Sequence, residues 1–254
     1  MKSITVAFHP DLLDPRRLDG AVAVVIDQLR ATTTIVHALA AKARNVVVCG
    51  EVDEARQVAS AWWENGTVLG GEREGVKIDG FALGNSPEEY TPAAVAGRTV
   101  VFTTTNGTRA LLKARTARRV VTAALANLNA VLQAIAAEPQ LVIVCAGTRG
   151  QVTLEDVYVA GAIVEELTIA QPEKYELDDS ASIARSVWRP VAQSLANVDP
   201  TEQQRLLLAA LRQTQGGRNL IALGLEHDVS VAARRDTHAL LPELAPGTMT
   251  LHVV

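Results

Sequence analysis

The 254-residue chain has few cysteines, no excess of basic residues and no long apolar run. Its two cysteines, Cys49 and Cys145, end apolar stretches and have no metal-ligating neighbour in sequence, so we expect buried, reduced thiols and a cytoplasmic protein. A net charge of −4 argues against nucleic acid as a partner, because binding to phosphate backbones needs a basic face. No apolar run approaches a membrane span and the first residues lack a signal-peptide pattern, so we expect no membrane partner.

Several catalytic signatures are also absent from the sequence. The five histidines are scattered singly, which argues against a zinc site. There is no Gly-x4-Gly-Lys-Ser/Thr phosphate loop and no Arg-His-Gly triplet. Leu29 stands where haloacid-dehalogenase phosphatases need a second Asp, and Cys145 and Arg149 are too close for a Cys-x5-Arg phosphatase. These absences exclude P-loop proteins and three familiar kinds of phosphatase.

Short β-rich runs alternate with helical runs along most of the chain. Continuous Val and Ile runs, such as residues 22–26 and 141–144, are typical of strands buried on both faces. The predicted strands are residues 4–8, 21–26, 45–49, 67–70, 99–102, 119–122, 141–145 and 249–253, and the predicted helices are residues 33–41, 52–65, 108–113, 127–137, 154–167, 182–196 and 201–213. This alternation predicts an α/β three-layer sandwich with a largely parallel or mixed central sheet, flanking helices and a C-terminal helical segment.

Residues 1–254 are interpreted as a single α/β domain, because no clear linker divides the chain. A subdivision near residues 170–180 is left open, and residues 178–224 could form a helical cap or the outer layer of the sheet. Trp62 and Trp63 on the predicted helix 52–65 fit the core or the face of a homodimer. The core is favoured, and a homodimer stays open.

Polar clusters begin where predicted strands end, which is where open α/β sheets bind ligands. After the second strand, Asp27 could ligate a cation and Arg30 could bind an oxyanion with two hydrogen bonds. The threonines Thr32, Thr33 and Thr34 open a helix, where hydroxyls and free N–H groups form an anion site. The alternative is one capping threonine and an Asp27 that only favours the helix dipole. Three threonines exceed what one cap needs, so function is favoured.

The glycine-rich stretch 70–87 has alternating charges but almost no apolar period. It predicts a long loop without secondary structure of its own, and such loops are often functional. Glu72, Arg73 and Lys77 indicate a metal or an anion held at close range; the alternative is a solvated loop.

Two further clusters follow later strands. The corner after strand 99–102 suits a phosphate or another tetrahedral anion. Its candidate ligands are Asn106, Gly107, Thr108 and Arg109. After strand 141–145 come Arg149, Glu155 and Asp156, although Thr153 and Asp156 also match a capping box and so have a purely structural alternative.

The acids collected at these strand ends are Asp27, Glu72, Glu155 and Asp156. Ligands that are all oxygen select a hard cation, Mg²⁺ before any soft metal. The basic residues at the same ends of an acidic protein imply a small polyanionic substrate. A metal, cationic side chains and a phosphate together indicate phosphoryl transfer to water.

Four long motifs stand in a fixed order at residues 26–34, 71–87, 104–108 and 145–161. With the tail, residues 223–242, they resemble the 2-phosphosulfolactate phosphatase family over nearly the whole chain. One departure is Ala232, where families of this type often carry cysteine, so a catalytic thiol at that position is not expected. The resemblance implies Mg²⁺-dependent hydrolysis of 2-phospho-3-sulfolactate to 3-sulfolactate and phosphate, a step toward coenzyme M in organisms that make it.

The resemblance and the residues together give a mechanistic hypothesis, in which water attacks phosphorus and Asp27 as a covalent nucleophile stays open. The expected catalytic residues are Asp27, Arg30, Glu72 and Asp156. The expected Mg²⁺ ligands are Asp27 and Glu72 with Glu155 or Asp156. The expected substrate-binding residues are Thr32, Thr33, Asn106, Gly107, Thr108 and Arg109 around the phosphoryl group, and Arg73, Lys77 and Arg149 on sulfonate or carboxylate. The alternatives are a phosphatase or phosphotransferase for another small phosphorylated hydroxy acid and a non-catalytic anion-binding protein.

Overall fold

The computed structural model describes residues 1–62 and 66–254, and their strands form one mixed sheet. The strands are β1 (Lys2–Ala7), β2 (Val22–Ile26), β3 (Asn45–Val48), β4 (Thr67–Arg73), β5 (Val76–Lys77), β6 (Thr99–Thr103), β7 (Arg119–Ala123), β8 (Gln140–Cys145), β9 (Tyr175–Leu177), β10 (Pro242–Leu244) and β11 (Thr250–Val253). The helices are α1 (Ala31–Ala40), α2 (Val52–Ala61), α3 (Pro92–Val95), α4 (Gly107–Ala114), α5 (Leu128–Ile135), α6 (Leu154–Thr168), α7 (Asp179–Leu195), α8 (Pro200–Arg212), α9 (Gln215–Ala222) and α10 (Glu226–Ala232). The predicted α/β class with a mixed sheet and flanking helices is confirmed. The end of the predicted helix 52–65, residues 63–65, lies outside the described residues.

The sheet has two parallel parts, β4-β6-β3 and β7-β2-β8-β1-β9, with β11 and β10 between them. All pairings from β3 through β11 and β10 to β7 are antiparallel. The two parallel parts therefore run in opposite directions along the sheet. A right-handed twist of about 20–25° at each strand pair accumulates across the sheet. The carboxyl ends of β2, β4 and β6 nevertheless meet at one cleft, described below.

Valine-rich strands form the centre because β-branched side chains suit a pleated surface packed on both faces. All five residues of β2 are buried. On one face, β1, β2 and β8 pack with α5, α6 and α7; on the other, β2 and β8 pack with α1 and α4. Residues of β3 and β6 belong to this second core as well. Helices α1 and α4 therefore contact strands of both parallel parts.

The segment 178–224 shares its core with the sheet. Helix α7 packs against α6 and β1, and the indole of Trp188 is fully buried there. Leu207 of α8 and Leu220 of α9 belong to the same apolar cluster as β1 and β2. The segment is thus an outer helical layer of the sheet, and its last helix reaches the cleft.

Two local predictions were wrong. The stretch 70–87 is not without secondary structure, because β4 continues through Arg73 and pairs with β5. Gly70 and Gly71 lie in register with Phe102 and Thr103 of β6, which carries the strand across the glycines.

The second error was a missed helix, α9, which contains Gly216 and Gly217. Both glycines lie inside α9, and the hydroxyl of Thr214 accepts a hydrogen bond from the Gly217 N–H at 3.1 Å. The helix was missed because these glycines serve close packing rather than a turn.

Cys49 and Cys145 are free and buried, as expected. Burial raises the pKa of the Cys49 thiol to about 12 and that of Cys145 well above its usual range. Both thiols are therefore protonated at neutral pH and poor nucleophiles. Among the described helices, none is long and apolar enough to cross a membrane.

Candidate active site

A cleft of about 320 Å³ lies at the carboxyl ends of β2, β4 and β6. One set of lining residues, the sheet wall, comes from these strand ends and the loops beside them: Asp27, Leu29, Arg30, Glu72, Glu74, Gly75, Asn85, Thr105, Asn106, Thr148 and Arg149. The other set, the helical wall, comes from α9 and the residue after it: Gly216, Asn219, Leu220, Ala222 and Leu223. Five predicted site residues therefore meet in one cleft, namely Asp27, Arg30, Glu72, Asn106 and Arg149.

Asp27 follows β2 directly and is buried at the base of the sheet wall. Its Oδ1 accepts a hydrogen bond from the Ala31 N–H at 3.1 Å, in the first turn of α1. A Cβ at Gly107 would lie 2.7 Å from Asp27 Oδ2 and 2.5 Å from the Ala31 Cβ. Only glycine therefore lets the start of α4 approach the carboxylate so closely.

The threonines after Asp27 stabilise the connection from β2 to α1 and do not line the cleft. Thr32 donates its hydroxyl hydrogen bond to the main-chain carbonyls of Asp27 and Ala123, at 2.9 and 2.8 Å. Thr33 donates to the Gln28 carbonyl at 2.8 Å. Both are fully buried and stand apart from the described lining residues, so the structure places the predicted ligands Thr32 and Thr33 in the support of the site.

Glu72 lies near the end of β4 and is also buried. Its Oε2 accepts from the Gly75 N–H at 2.6 Å, and its Oε1 accepts from the Thr105 N–H at 2.8 Å. These charge-assisted bonds fix the carboxylate between the β4–β5 turn and the β6–α4 corner. Thr105 was not among the predicted site residues, and its hydroxyl also donates to Glu72 Oε2 at 3.3 Å.

Arg30 connects three elements from a fully buried position. Its Nη1 donates to Asp228 Oδ2 of α10 at 2.5 Å, and its Nη2 donates to the Gly75 carbonyl at 3.0 Å. Asp228 also accepts from the Ser86 hydroxyl at 2.6 Å. Asp228 was not among the predicted site residues, because a buried partner 198 residues away in sequence could not be read from spacing.

Asp156 and Glu155 lie behind the cleft rather than among its described lining residues. Asp156 accepts from the Gln28 N–H at 2.8 Å and the Gly147 N–H at 2.9 Å, so its carboxylate ties β2 to β8. The capping-box interpretation is therefore wrong, because no side-chain bond caps α6 at Thr153. Burial raises the pKa of Asp156 well above its usual range, and the charges of Asp27 and Glu155 add to the rise.

Glu155 faces the start of α9. Its carboxylate accepts from the Gly216 N–H at 3.3 Å, and a Cβ at Gly216 would lie 2.1 Å from Oε1. A side chain at residue 216 would displace this carboxylate. Glu155 thus contacts the helical wall from behind.

The pKa of Asp27 rises to about 7, chiefly because the side chain is buried. The Ala31 N–H opposes the rise, and the negative charges of Glu72 and Glu155 add to it. A carboxyl with this shift, in a cleft beside a second acid, is typical of a functional site. A cation beside Asp27 would favour its ionised form.

Asp27 and Glu72 are the acids that fit Mg²⁺. Within residues 1–62 and 66–254, no group of three or more His, Cys, Asp or Glu side chains is arranged to hold a metal ion. Mg²⁺ is usually held by only one or two carboxylates and keeps water and substrate oxygens as its other ligands. Two acids from the sheet wall meet that requirement, so the Mg²⁺ site stays a prediction with Asp27 and Glu72 as its ligands.

Four predicted substrate ligands lie outside the described cleft lining, and three of them have other partners. Arg73 donates to the Gly50 carbonyl and to the Thr103 hydroxyl, at 3.2 and 3.0 Å. Arg109 binds Asp11 through Nη2 at 2.6 and 2.7 Å on the surface. Lys77 is exposed on β5. Thr108 is buried, and its hydroxyl oxygen accepts a hydrogen bond from the Thr104 N–H at 3.0 Å. None of these side chains is among the described lining residues of the cleft.

Asn106 and Arg149 do line the cleft and are linked. Asn106 Oδ1 accepts from the Arg149 N–H at 3.3 Å, and the Arg149 guanidinium donates to Glu74 at 3.3 Å. Arg149 and Glu74 are both well exposed, so this pair marks the rim of the cleft. The helical wall escaped sequence reasoning because α9 itself was missed.

Comparison with known proteins tests the family resemblance directly. The model of a family described as 2-phosphosulpholactate phosphatase matches residues 7–247. A protein of Symbiobacterium thermophilum is 43% identical over 236 residues, which is 92% of this chain and 95% of that protein. A protein of Deinococcus radiodurans is 45% identical over 230 residues, which is 89% of this chain and 88% of that protein. A protein of Thermotoga maritima is 34% identical over 229 residues, which is 90% of this chain and 91% of that protein. All three are named "Probable 2-phosphosulfolactate phosphatase". With buried acids and an arginine at the carboxyl ends of its strands, the chain belongs to the 2-phosphosulpholactate phosphatase family of phosphoric monoester hydrolases.

Proposed function

We propose that this protein hydrolyses the phosphate monoester of 2-phospho-3-sulfolactate to 3-sulfolactate and phosphate with the help of Mg²⁺. The names of its relatives support the substrate. In an organism that makes coenzyme M, the reaction would be a step toward that compound. The observation that carries the proposal is the convergence of Asp27 and Glu72, from two different strands, in a cleft that also contains Arg30.

The chain's own residues suit a doubly charged phosphate ester. Asp27 and Glu72 would hold Mg²⁺, which when bound supplies positive charge to phosphate oxygens and lowers the pKa of a water. Arg30 is held rigidly by Asp228 and the Gly75 carbonyl, so its charge is fixed in direction before substrate arrives. Arg149 at the rim would bind a second anionic group of the substrate.

The proposed reaction is a direct displacement at phosphorus. Water attacks phosphorus and loses a proton as the bond from phosphorus to the ester oxygen breaks. The ester oxygen gains a proton in turn, so the products are 3-sulfolactate and phosphate. Asp27 as a covalent nucleophile is the competing version. Trapping a phosphoenzyme would overturn the direct displacement. A fully active Asp27→Asn would exclude Asp27 as a nucleophile and contradict its proposed role as a Mg²⁺ ligand.

One observation favours a second candidate, a phosphatase for another small phosphorylated hydroxy acid. Leu29, Leu220 and Leu223 line the cleft, and apolar side chains do not bind a sulfonate. A substrate with a methyl or methylene group in place of the sulfonate would suit these leucines.

Phosphate release tests both candidates. The purified protein is assayed with 2-phospho-3-sulfolactate and with 2-phospholactate, first after treatment with EDTA and then with Mg²⁺ restored. We expect turnover of the sulfonate substrate that stops with EDTA and returns with Mg²⁺. Faster turnover of 2-phospholactate would favour the second candidate. Binding of either compound without phosphate release would identify an anion-binding protein and overturn both.

A further inference from the structure

Asn85 is a buried amide that the fold leaves unused. The residue is 6% exposed and belongs to the sheet wall of the cleft. Its side-chain Oδ1 is buried and has no hydrogen-bond partner among the described residues. A buried amide without a partner destabilises a folded protein, so its presence needs a reason other than folding.

The main chain around Asn85 is, in contrast, firmly held. The Thr34 hydroxyl donates to the Asn85 carbonyl at 2.9 Å. The next residue, Ser86, donates to Asp228 at 2.6 Å, and Asp228 also accepts from Arg30 at 2.5 Å. The same buried carboxylate therefore positions the Arg30 guanidinium and the backbone beside Asn85. A fixed backbone with a free amide is the arrangement of a binding residue prepared for its ligand.

Other buried polar atoms without partners do not share this position. In the described parts of the chain they belong to Asn45, Thr122, Thr153, Arg185 and His238, and none of these residues lines the cleft. Asn85 is thus distinguished by its place beside Arg30 and Asp27, not by the missing hydrogen bond alone.

We propose that Asn85 is a substrate-binding residue, whose amide forms a hydrogen bond with an oxygen of the phosphate ester bound beside Arg30. The inference rests on the proposed function and names a contact within it. An Asn amide carries a donor and an acceptor and can present either one by rotating about χ2. The Nδ2 donor suits an anionic oxygen of the substrate, and it adds no charge to a cleft that already contains Arg30 and Arg149.

The test compares Asn85→Ala and Asn85→Asp with a matched control, Asn45→Ala. Asn45 also has a buried Oδ1 without a partner, but it lies at the start of β3 and outside the described cleft lining. KM and kcat are measured for phosphate release, and thermal unfolding is measured without ligand. Binding of inorganic phosphate is measured by calorimetry.

We expect Asn85→Ala to raise KM by about 10–100-fold, because it removes a hydrogen bond to a charged group. Its unfolding temperature without ligand should equal or exceed that of the wild type, since an unsatisfied buried group is gone. Asn85→Asp should raise KM further, because a carboxylate repels the anionic substrate. Asn45→Ala should leave KM unchanged.

A KM within twofold of wild type in Asn85→Ala would overturn the inference. A lower unfolding temperature with unchanged phosphate binding would do the same, since it would show a structural role. Phosphate binding separates this inference from the proposed function, because it needs no turnover. Weaker phosphate binding in Asn85→Ala, with no turnover by any variant, would support Asn85 and contradict the proposed reaction.

Discussion

The sheet wall and the helical wall of the cleft differ in what they can contribute to a reaction. The sheet wall carries the buried acids Asp27 and Glu72, held by main-chain N–H groups of neighbouring loops. The helical wall is mostly apolar, with Leu220 and Leu223 among its five residues. The difference places the proposed chemistry at the strand ends, whereas α9 contributes a mostly apolar surface to the cleft.

The sheet wall is linked to α10 and to the end of the helical wall. Arg30 of the sheet wall pairs with Asp228 of α10, the helix that follows the helical wall. A Cβ at Gly75, in the β4–β5 turn, would lie 2.5 Å from Leu223 Cδ1. The two walls can therefore be perturbed separately, and their different roles make different predictions.

The largest effect is expected at the acids of the sheet wall. Asp27→Asn and Glu72→Gln should each lower kcat/KM by about 10³-fold or more, because each removes a charge that acts on the transition state. Asp27→Asn should not lower the unfolding temperature, since burial already disfavours the charged carboxylate. Phosphate release and thermal unfolding measure the two effects. Asp11→Asn, at an exposed acid, is the control. An active Asp27→Asn would contradict the prediction that the sheet wall supplies the acids needed for activity.

Breaking the pair between Arg30 of the sheet wall and Asp228 of α10 should lower stability. Asp228→Ala leaves the Arg30 guanidinium buried without its partner and should lower the free energy of unfolding by about 3–5 kcal/mol. Asp228→Asn retains a hydrogen-bond acceptor and should lose less. Ser86→Ala removes a single hydrogen bond and should lower it by about 1 kcal/mol. Urea unfolding measures the free energy of unfolding of all three variants. If Asp228→Ala lost less of it than Ser86→Ala, the result would contradict a stabilising buried pair.

Arg149 and Arg109 test whether substrate binding depends on an arginine at the cleft or on positive charge anywhere on the surface. Arg149→Ala should raise KM by about two- to fivefold, a small change because the side chain is exposed and screened by salt. Arg109→Ala should leave KM unchanged, since that guanidinium is paired with Asp11 away from the cleft. Steady-state kinetics at low and moderate salt measure both. Equal effects would show that the rim position of Arg149 has no special role.

The smallest effect is expected at the helical wall. Leu223→Ala should change kcat by less than about twofold and lower the free energy of unfolding by less than about 1 kcal/mol, because the side chain is half exposed. Its KM should change more than its kcat, since the residue shapes the cleft without acting on phosphorus. Kinetics and urea unfolding check this. A large loss of kcat would place chemistry on the helical wall.

The sequence predicted the sheet and brought two of the four acids, Asp27 and Glu72, to the cleft for a physical reason. Continuous valine runs have one stable place, a strand buried on both faces, and they located β2, β3, β6 and β8. Polar residues that interrupt such runs stand at strand ends. This simple pattern led to Asp27 and Glu72.

Long-range pairing could not be predicted in the same way. Arg109 has its partner Asp11 98 residues away, and Arg73 turns to Gly50 and Thr103. The predicted strand ended at residue 70, whereas β4 continues through Arg73. Because successive residues of a strand point to opposite faces, a prediction of the full strand would have placed Glu72 and Arg73 on different faces. The stretch 70–87 was predicted as a loop and α9 was missed, because the glycines there pack against residues distant in sequence. Gly71 lies against Thr103, and Gly216 lies against Glu155.

A crystal structure with Mg²⁺ and phosphate would test the central claim most directly. The account predicts one metal ion at about 2.0–2.1 Å from carboxylate oxygens of both Asp27 and Glu72, with phosphate beside Arg30. A metal held by Glu155 and Asp156, or a phosphate bound outside the sheet wall, would contradict it.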